Sequence, residues 1–126
     1  QIEGGFIQGM GWLTTEQLVW NDAGKLTTHA PSTYKIPATG DIPAHFTVDL
    51  WHEPNREDNV GGSKAVGEPP FMLAISVYEA LRDAIASARD RDAIASARHR
   101  DAAASTKLVN LVAPATAENV LRALKS

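Results

Sequence analysis

The chain has 126 residues, with 15 acidic and 12 basic side chains, a formal net charge of −3 and no cysteine. The acidic balance argues against a nucleic-acid-binding surface, and no apolar run approaches the roughly 20 residues that a membrane-spanning helix needs. The lack of cysteine excludes disulfides and cysteine-ligated iron–sulfur clusters within the chain, and it fits the cytoplasmic location that we expect.

Residues 3–15 are predicted to form a helix, because Phe6, Met10 and Leu13 follow an i, i+4, i+7 spacing. Four glycines interrupt this pattern, and each costs roughly 1 kcal/mol relative to alanine in a helix interior. So many glycines favour close packing against another backbone or a cofactor, or else a loosely formed first turn. The four are Gly4, Gly5, Gly9 and Gly11.

The next part of the chain is predicted to hold short strands. Residues 16–20 and 25–29 read as a hairpin, and residues 21–24 supply the turn. Prolines and a glycine predict an extended loop at residues 30–44. Apolar and polar side chains then alternate along residues 46–51, which predicts a strand with one buried face.

A glycine-rich turn places one carboxylate at the start of a predicted helix. Gly61, Gly62 and Gly67 allow backbone angles that other residues avoid, and Pro69 suits the first turn of a helix. Glu68 is therefore predicted to lie at or just before a helix N-terminus on a stiff backbone, as a positioned general base requires. An ordinary acidic residue also suits this position, because the helix dipole favours negative charge there.

The helix that follows the prolines is predicted to reach about residue 104, and it contains a duplication at about residues 82–105. Residues 82–89 recur letter for letter at residues 91–98. A nine-residue step turns a helix by about 180° beyond whole turns, so Ile85 and Ile94 point to opposite faces. We expect the first copy to bury its isoleucine. The second is expected to protrude as an Ala- and Arg-rich helix or to be partly disordered.

The end of the chain predicts an extended segment followed by a short helix. Residues 107–112 are apolar and strand-like, and Thr116 is a good N-cap with Glu118 in the first turn. Short strands mixed with helices, without regular βαβ alternation, predict an α+β fold in which the hairpin and strands pack with the helices.

Four ordered motifs resemble the molybdenum hydroxylases, the family that includes the xanthine dehydrogenases and the aldehyde oxidases. They are residues 1–11, which match the pattern Gln-x-Glu-Gly-x-Phe-x-Gln-Gly, residues 32–43, residues 63–70 and residues 114–116. The Ser-Lys-Ala-Val form of the third motif favours the xanthine dehydrogenase branch. The chain opens inside a motif and without a starting Met. We therefore expect all of residues 1–126 to be a C-terminal fragment of a larger molybdopterin-binding domain in the molybdenum-binding subunit.

The resemblance implies a function. Enzymes of this kind oxidise xanthine or hypoxanthine to urate with oxygen from water, which passes from a hydroxide on a molybdopterin-bound molybdenum. Glu68 would be the general base that takes the proton from that hydroxide, and Gln1 would contact the cofactor. The family's molybdenum-facing residues would lie outside this chain, and the four histidines lack ligand spacing with one another.

The resemblance also implies partners that this chain does not contain. Electrons would leave through 2Fe–2S clusters to FAD and on to NAD, in other domains or subunits of an oligomeric complex. We expect the fragment alone to be inactive. Two alternatives stay open: an enzyme acting on an aldehyde or another N-heterocycle, and a non-catalytic interaction or packing module whose contact surface is the Arg-rich duplication.

Overall fold

Helices form the regular structure of the chain. The computed structural model describes residues 1–97 and 108–126, and within these ranges there are four α-helices and two short 3₁₀ turns. The helices are α1 (Ile2–Thr14), α2 (Glu68–Leu73), α3 (Ile75–Ala97) and α4 (Ala117–Lys125), and the 3₁₀ turns are Thr39–Asp41 and Val60–Gly62. None of the described helices is long and apolar enough to cross a membrane.

The predicted strands are not found in the described residues, so the α+β prediction is not confirmed and the described chain is mainly helical. In place of a hairpin between residues 16–20 and 25–29 there is a single antiparallel bridge, from Trp20 to Leu26. Residues 46–51 belong to no strand. The physical reason is that a lone two-stranded ribbon is marginally stable, and no further described strand lies beside either segment.

Local signals predicted two of the helices and the long loop correctly. The helix expected at residues 3–15 is α1, and the expected last helix is α4. Thr116 caps α4 as predicted: its backbone is extended, and its side chain accepts a 3.3 Å hydrogen bond from the amide of Asn119. Residues 30–44 form a loop whose helical content is one 3₁₀ turn.

Backbone contact, not a loosely formed turn, explains two of the four glycines of α1, Gly5 and Gly9. A Cβ built on Gly9 would lie 2.2 Å from the carbonyl oxygen of Phe71, and one built on Gly5 would lie 2.8 Å from the carbonyl oxygen of Gly67. Neither distance leaves room for a side chain. The glycines therefore let α1 lie directly against the backbone at the start and middle of α2.

The long helix expected after the prolines is divided into α2 and α3 at Ala74. The ψ of Ala74 is −14°, short of the about −42° of a regular α-helix. Its side chain is fully buried, and it would lie 2.8 Å from a Cβ on Gly9. The division lets α2 rest on α1 while α3 runs on toward α4.

The apolar core lies between α3, α4 and the extended chain that precedes α4. Ile85 is only 3% exposed, so the prediction that the first copy of the duplication buries its isoleucine is confirmed. The Tyr78 hydroxyl donates to the carbonyl oxygen of Leu111. The cluster of buried side chains consists of Ile85, Val109, Leu111, Ala115 and Ala123. The second copy, residues 91–98, belongs to α3 as far as Ala97. The side chain of Ile94, which decides whether this copy protrudes, and residues 98–104 lie outside what the structure describes.

Candidate functional site

An open cleft lies between α1 and α2, with a volume of about 680 Å³. Its walls come from the first three turns of α1 and from the start of α2, the two elements that the glycines hold together. The lining residues are Gln1, Gly4, Gly5, Gln8 and Trp12 on one side and Gly67, Glu68 and Phe71 on the other.

Glu68 is the first residue of α2, and its carboxylate is exposed at the edge of the cleft. The turn before it is built as expected in part: Gly61 and Gly62 have φ of 63° and 69°, a region that favours glycine. Gly67, by contrast, has an ordinary φ of −80° and serves as the N-cap of α2. The third left-handed residue is Ala65, with φ of 66°, which the sequence did not indicate.

The structure brings together the two site residues that the sequence singled out. Gln1 is the N-cap of α1 and Glu68 is the first residue of α2, and both line the same cleft. The pairing depends on the contact between Gly5 and Gly67, because that contact sets the two helix starts side by side. The cleft therefore combines one carboxylate with one carboxamide at neighbouring helix N-termini.

Sequence reasoning missed three further residues of the cleft, namely Gln8, Trp12 and Phe71. Trp12 and Phe71 meet edge to face, with ring centroids 5.1 Å apart and an interplanar angle of 85°. A signal for two of them was present, since Gly4, Gln8 and Trp12 follow an i, i+4, i+8 spacing and so share one face of α1. Phe71 needed the tertiary contact with α1 to be recognised.

A second set of contacts joins the long loop to the carboxyl-terminal end of α1. The Tyr34 hydroxyl donates a 2.5 Å hydrogen bond to Oε2 of Glu16, and the Thr15 hydroxyl donates a 2.8 Å bond to the carbonyl oxygen of Lys35. The hydrogen bond to Glu16 raises the pKa of Tyr34 above its usual range, and burial and the Glu16 charge add to it. We call these two hydrogen bonds the loop clamp.

The lining of the cleft suits a polar cofactor. Its volume falls in the ~300–1,000 Å³ range typical of ligand sites. The carboxamides of Gln1 and Gln8 each offer hydrogen-bond donors and an acceptor. A Cβ built on Gly4 would meet no atom within 4 Å, so the bare backbone there faces open space in which a ligand can approach closely.

Comparisons with known proteins show the family to which the chain belongs. Residues 1–43 match the family described as the molybdopterin cofactor-binding domain. Xanthine dehydrogenase/oxidase of Felis catus is 44% identical over 123 residues, which is 98% of this chain and 9% of that protein. Xanthine dehydrogenase of Dictyostelium discoideum is 41% identical over 120 residues, 95% of this chain and 8% of that protein.

A plant relative extends the similarity. Xanthine dehydrogenase of Oryza sativa subsp. japonica is 48% identical over 96 residues, which is 71% of this chain and 7% of that protein. The chain thus spans less than a tenth of the length of the curated relatives that it matches. The chain belongs to the xanthine dehydrogenase family and corresponds to a segment of its molybdopterin-binding region.

Proposed function

We propose that this chain supplies the general base and one wall of the cofactor site to a molybdenum hydroxylase that oxidises xanthine and hypoxanthine to urate. One observation carries the proposal. Glu68 and Gln1, far apart in sequence, line a single cleft in a chain that is 41–48% identical to xanthine dehydrogenases. A carboxylate fixed at a helix start beside a polar cleft is an arrangement suited to proton transfer.

The cofactor and the protein divide the chemistry between them. When bound, a molybdenum–molybdopterin group supplies the oxidation chemistry, because the protein side chains of this cleft have no redox activity of their own. In each hydroxylation one carbon–hydrogen bond of the heterocycle breaks and one carbon–oxygen bond to water-derived oxygen forms. Two electrons leave the substrate, and two protons must be taken up.

Glu68 takes one of these protons in the proposed reaction. Its carboxylate removes the proton from the water-derived oxygen while that oxygen attacks the substrate carbon, which keeps the oxygen nucleophilic at neutral pH. A general base contributes typically ~10²–10⁴-fold to the rate. The stiff start of α2, with Gly67 as N-cap and Pro69 in the first turn, holds the carboxylate in place.

The neighbouring residues of α1 hold the cofactor in this proposal. The Gln1 carboxamide would contact the cofactor, and the open backbone at Gly4 would let the group approach α1 closely. Other domains or subunits of the complete enzyme supply 2Fe–2S clusters, FAD and NAD for the electrons. We further propose that this complex is oligomeric and cytoplasmic, and that the 126-residue chain alone is inactive.

An isotope experiment tests the proposal. The complete enzyme that carries this chain is incubated with xanthine in ¹⁸O-labelled water, and the product is analysed by mass spectrometry. The proposal predicts urate that carries the label at the newly oxidised carbon. Turnover of an aldehyde but not of xanthine would keep the hydroxylase and replace the substrate. Urate that lacks the label would show that its new oxygen does not come from water and would contradict the proposed chemistry.

A further inference from the structure

The loop clamp lies next to the face of α1 that lines the cleft. A second cavity, of about 310 Å³, is lined by Gly4, Ile7 and Gln8 of α1, by Glu16, and by Ile36 and Pro37 of the loop. Gly4 and Gln8 also line the cleft that holds Glu68. These two residues therefore form a shared wall, with the proposed cofactor site on one side and the clamped loop on the other.

The clamped loop rests on the bare backbone of α1. A Cβ built on Gly11 would lie 2.3 Å from Oε1 of Glu16 and 2.5 Å from Cδ of Pro37. Because no gap separates these groups from the helix, Glu16 and Pro37 cannot move toward α1 without shifting it. The position of the loop and the position of α1 are therefore coupled.

The coupling between the loop and α1 depends on one hydrogen bond of the loop clamp, from Tyr34 to Glu16. Glu16 is only 9% exposed, and a buried carboxylate is costly unless donors reach it. Among the described residues, the side-chain donor that reaches Glu16 is the hydroxyl of Tyr34. Without that hydroxyl the Glu16 carboxylate has lost its side-chain donor, so we expect it to turn toward water and the loop to separate from α1.

We propose that Glu16 and Tyr34 are positioning residues, which hold the Gly4–Gln8 wall of the cleft in the geometry that binds the cofactor. The inference rests on the proposed function for the identity of the ligand. It adds a role for residues that do not themselves line the Glu68 cleft. Hydrogen-bond partners of metal ligands are worth roughly 10–100-fold in metal affinity or activity, and we take the same range for Glu16 and Tyr34, which act on the cofactor site through α1.

The experiment compares Tyr34→Phe with Tyr78→Phe in the complete enzyme. Each variant removes one partly buried hydroxyl that makes one hydrogen bond, but Tyr78 bonds to Leu111 in the apolar core. We expect Tyr34→Phe to weaken cofactor retention by roughly 10–100-fold, measured as molybdenum per polypeptide during dilution. Amide hydrogen exchange at residues 4–8 is expected to accelerate in the same variant. Tyr78→Phe is expected to leave both readouts at the wild-type value.

A conservative variant separates positioning from general damage. Glu16→Gln keeps an oxygen that accepts the Tyr34 hydroxyl, so we expect it to retain the cofactor, whereas Glu16→Ala is expected to lose it. Equal molybdenum loss and equal exchange in Tyr34→Phe and Tyr78→Phe would overturn the inference. If the wild-type enzyme binds no molybdenum, the proposed function fails. The exchange at residues 4–8 still decides the coupling in that case, because unchanged exchange in Tyr34→Phe would overturn it.

Discussion

The two helix pairs of this chain are held together in opposite ways. Where α1 meets α2, glycines bring backbone against backbone, with Cβ positions at Gly5 and Gly9 that have no room for an atom. Where α3 meets α4, apolar side chains fill the space, with Ile85 at 3% exposure. The first pair carries the candidate site and the second carries the core.

This contrast teaches what each pair tolerates. Where glycines allow two backbones to touch, a substitution that adds a side chain lowers the stability. Where buried side chains fill the contact, a substitution that removes side-chain atoms lowers it. A site built in the first way has its geometry set by the closest approach of two backbones. The contact between Gly5 and Gly67 therefore sets how the helix starts that carry Gln1 and Glu68 lie beside each other.

The largest expected effect on stability comes from the core. Ile85→Ala removes a buried side chain from the α3–α4 contact, and large-to-small changes of this kind cost about 2–5 kcal/mol in the free energy of unfolding. Urea denaturation measures the loss. Ile75→Ala is the matched control, since Ile75 starts the same helix but is 45% exposed. Equal losses in the two variants would contradict the assignment of the core.

The next effect is expected at the glycine contact. Gly9→Ala places a methyl group 2.2 Å from the Phe71 carbonyl oxygen, and overpacking costs about 1–3 kcal/mol while it pushes α1 away from α2. Gly4→Ala is the control, because its Cβ meets nothing within 4 Å and alanine favours a helix by roughly 1 kcal/mol over glycine. In urea denaturation we expect Gly9→Ala to be less stable than wild type and Gly4→Ala to be at least as stable as wild type. A Gly9→Ala chain at least as stable as Gly4→Ala would show that the backbones do not touch.

A smaller effect on stability is expected from pH, through the hydrogen bond between Tyr34 and Glu16 in the loop clamp. The hydrogen bond from Tyr34 to Glu16, with burial and the Glu16 charge, raises the pKa of Tyr34 above its ordinary value of about 10. Its contribution to stability is therefore fully present below about pH 10 and is lost as the pH rises through the raised pKa. An ultraviolet titration of tyrosinate absorbance in wild type and Tyr34→Phe isolates this group. Ionisation of Tyr34 at or below the ordinary value would contradict the hydrogen bond.

The sequence predicted those features that depend on neighbouring residues. The apolar spacing of α1, the Thr116 cap and the proline-rich start of α2 act within a few residues, and each was confirmed. The burial of Ile85 followed from the nine-residue step of the duplication, which is also a local rule. The placement of Glu68 at the start of α2 was also predicted from neighbouring residues.

The features that were missed depend on partners far away in the chain. Alternation at residues 46–51 describes a strand but does not supply a neighbouring strand, and Trp51 is 86% exposed. Glu16 and Tyr34 are 18 residues apart, and nothing local to either residue indicates their hydrogen bond. The long helix is likewise divided at Ala74, the residue that lies against Gly9 on α1, and that contact is not visible from the local sequence.

The central claim is that Glu68 is a general base and not an ordinary acid at a helix start. The matched comparison is Glu118, which is also an exposed acid in the first turn of a helix. Glu118 lies on α4 and does not line the cleft. Glu68→Gln keeps the shape of the side chain and removes its basicity, and Glu118→Gln does the same at the control position.

The deciding measurement is steady-state urate formation by the complete, molybdenum-loaded enzyme in wild type, Glu68→Gln and Glu118→Gln, with molybdenum content determined for each. We predict that Glu68→Gln lowers kcat by roughly 10²–10⁴-fold at unchanged molybdenum content, because the base is lost while the cleft is kept. Glu118→Gln is predicted to turn over at the wild-type rate. Turnover of Glu68→Gln at the wild-type rate would contradict the account and leave Glu68 as an acid that only favours the start of α2.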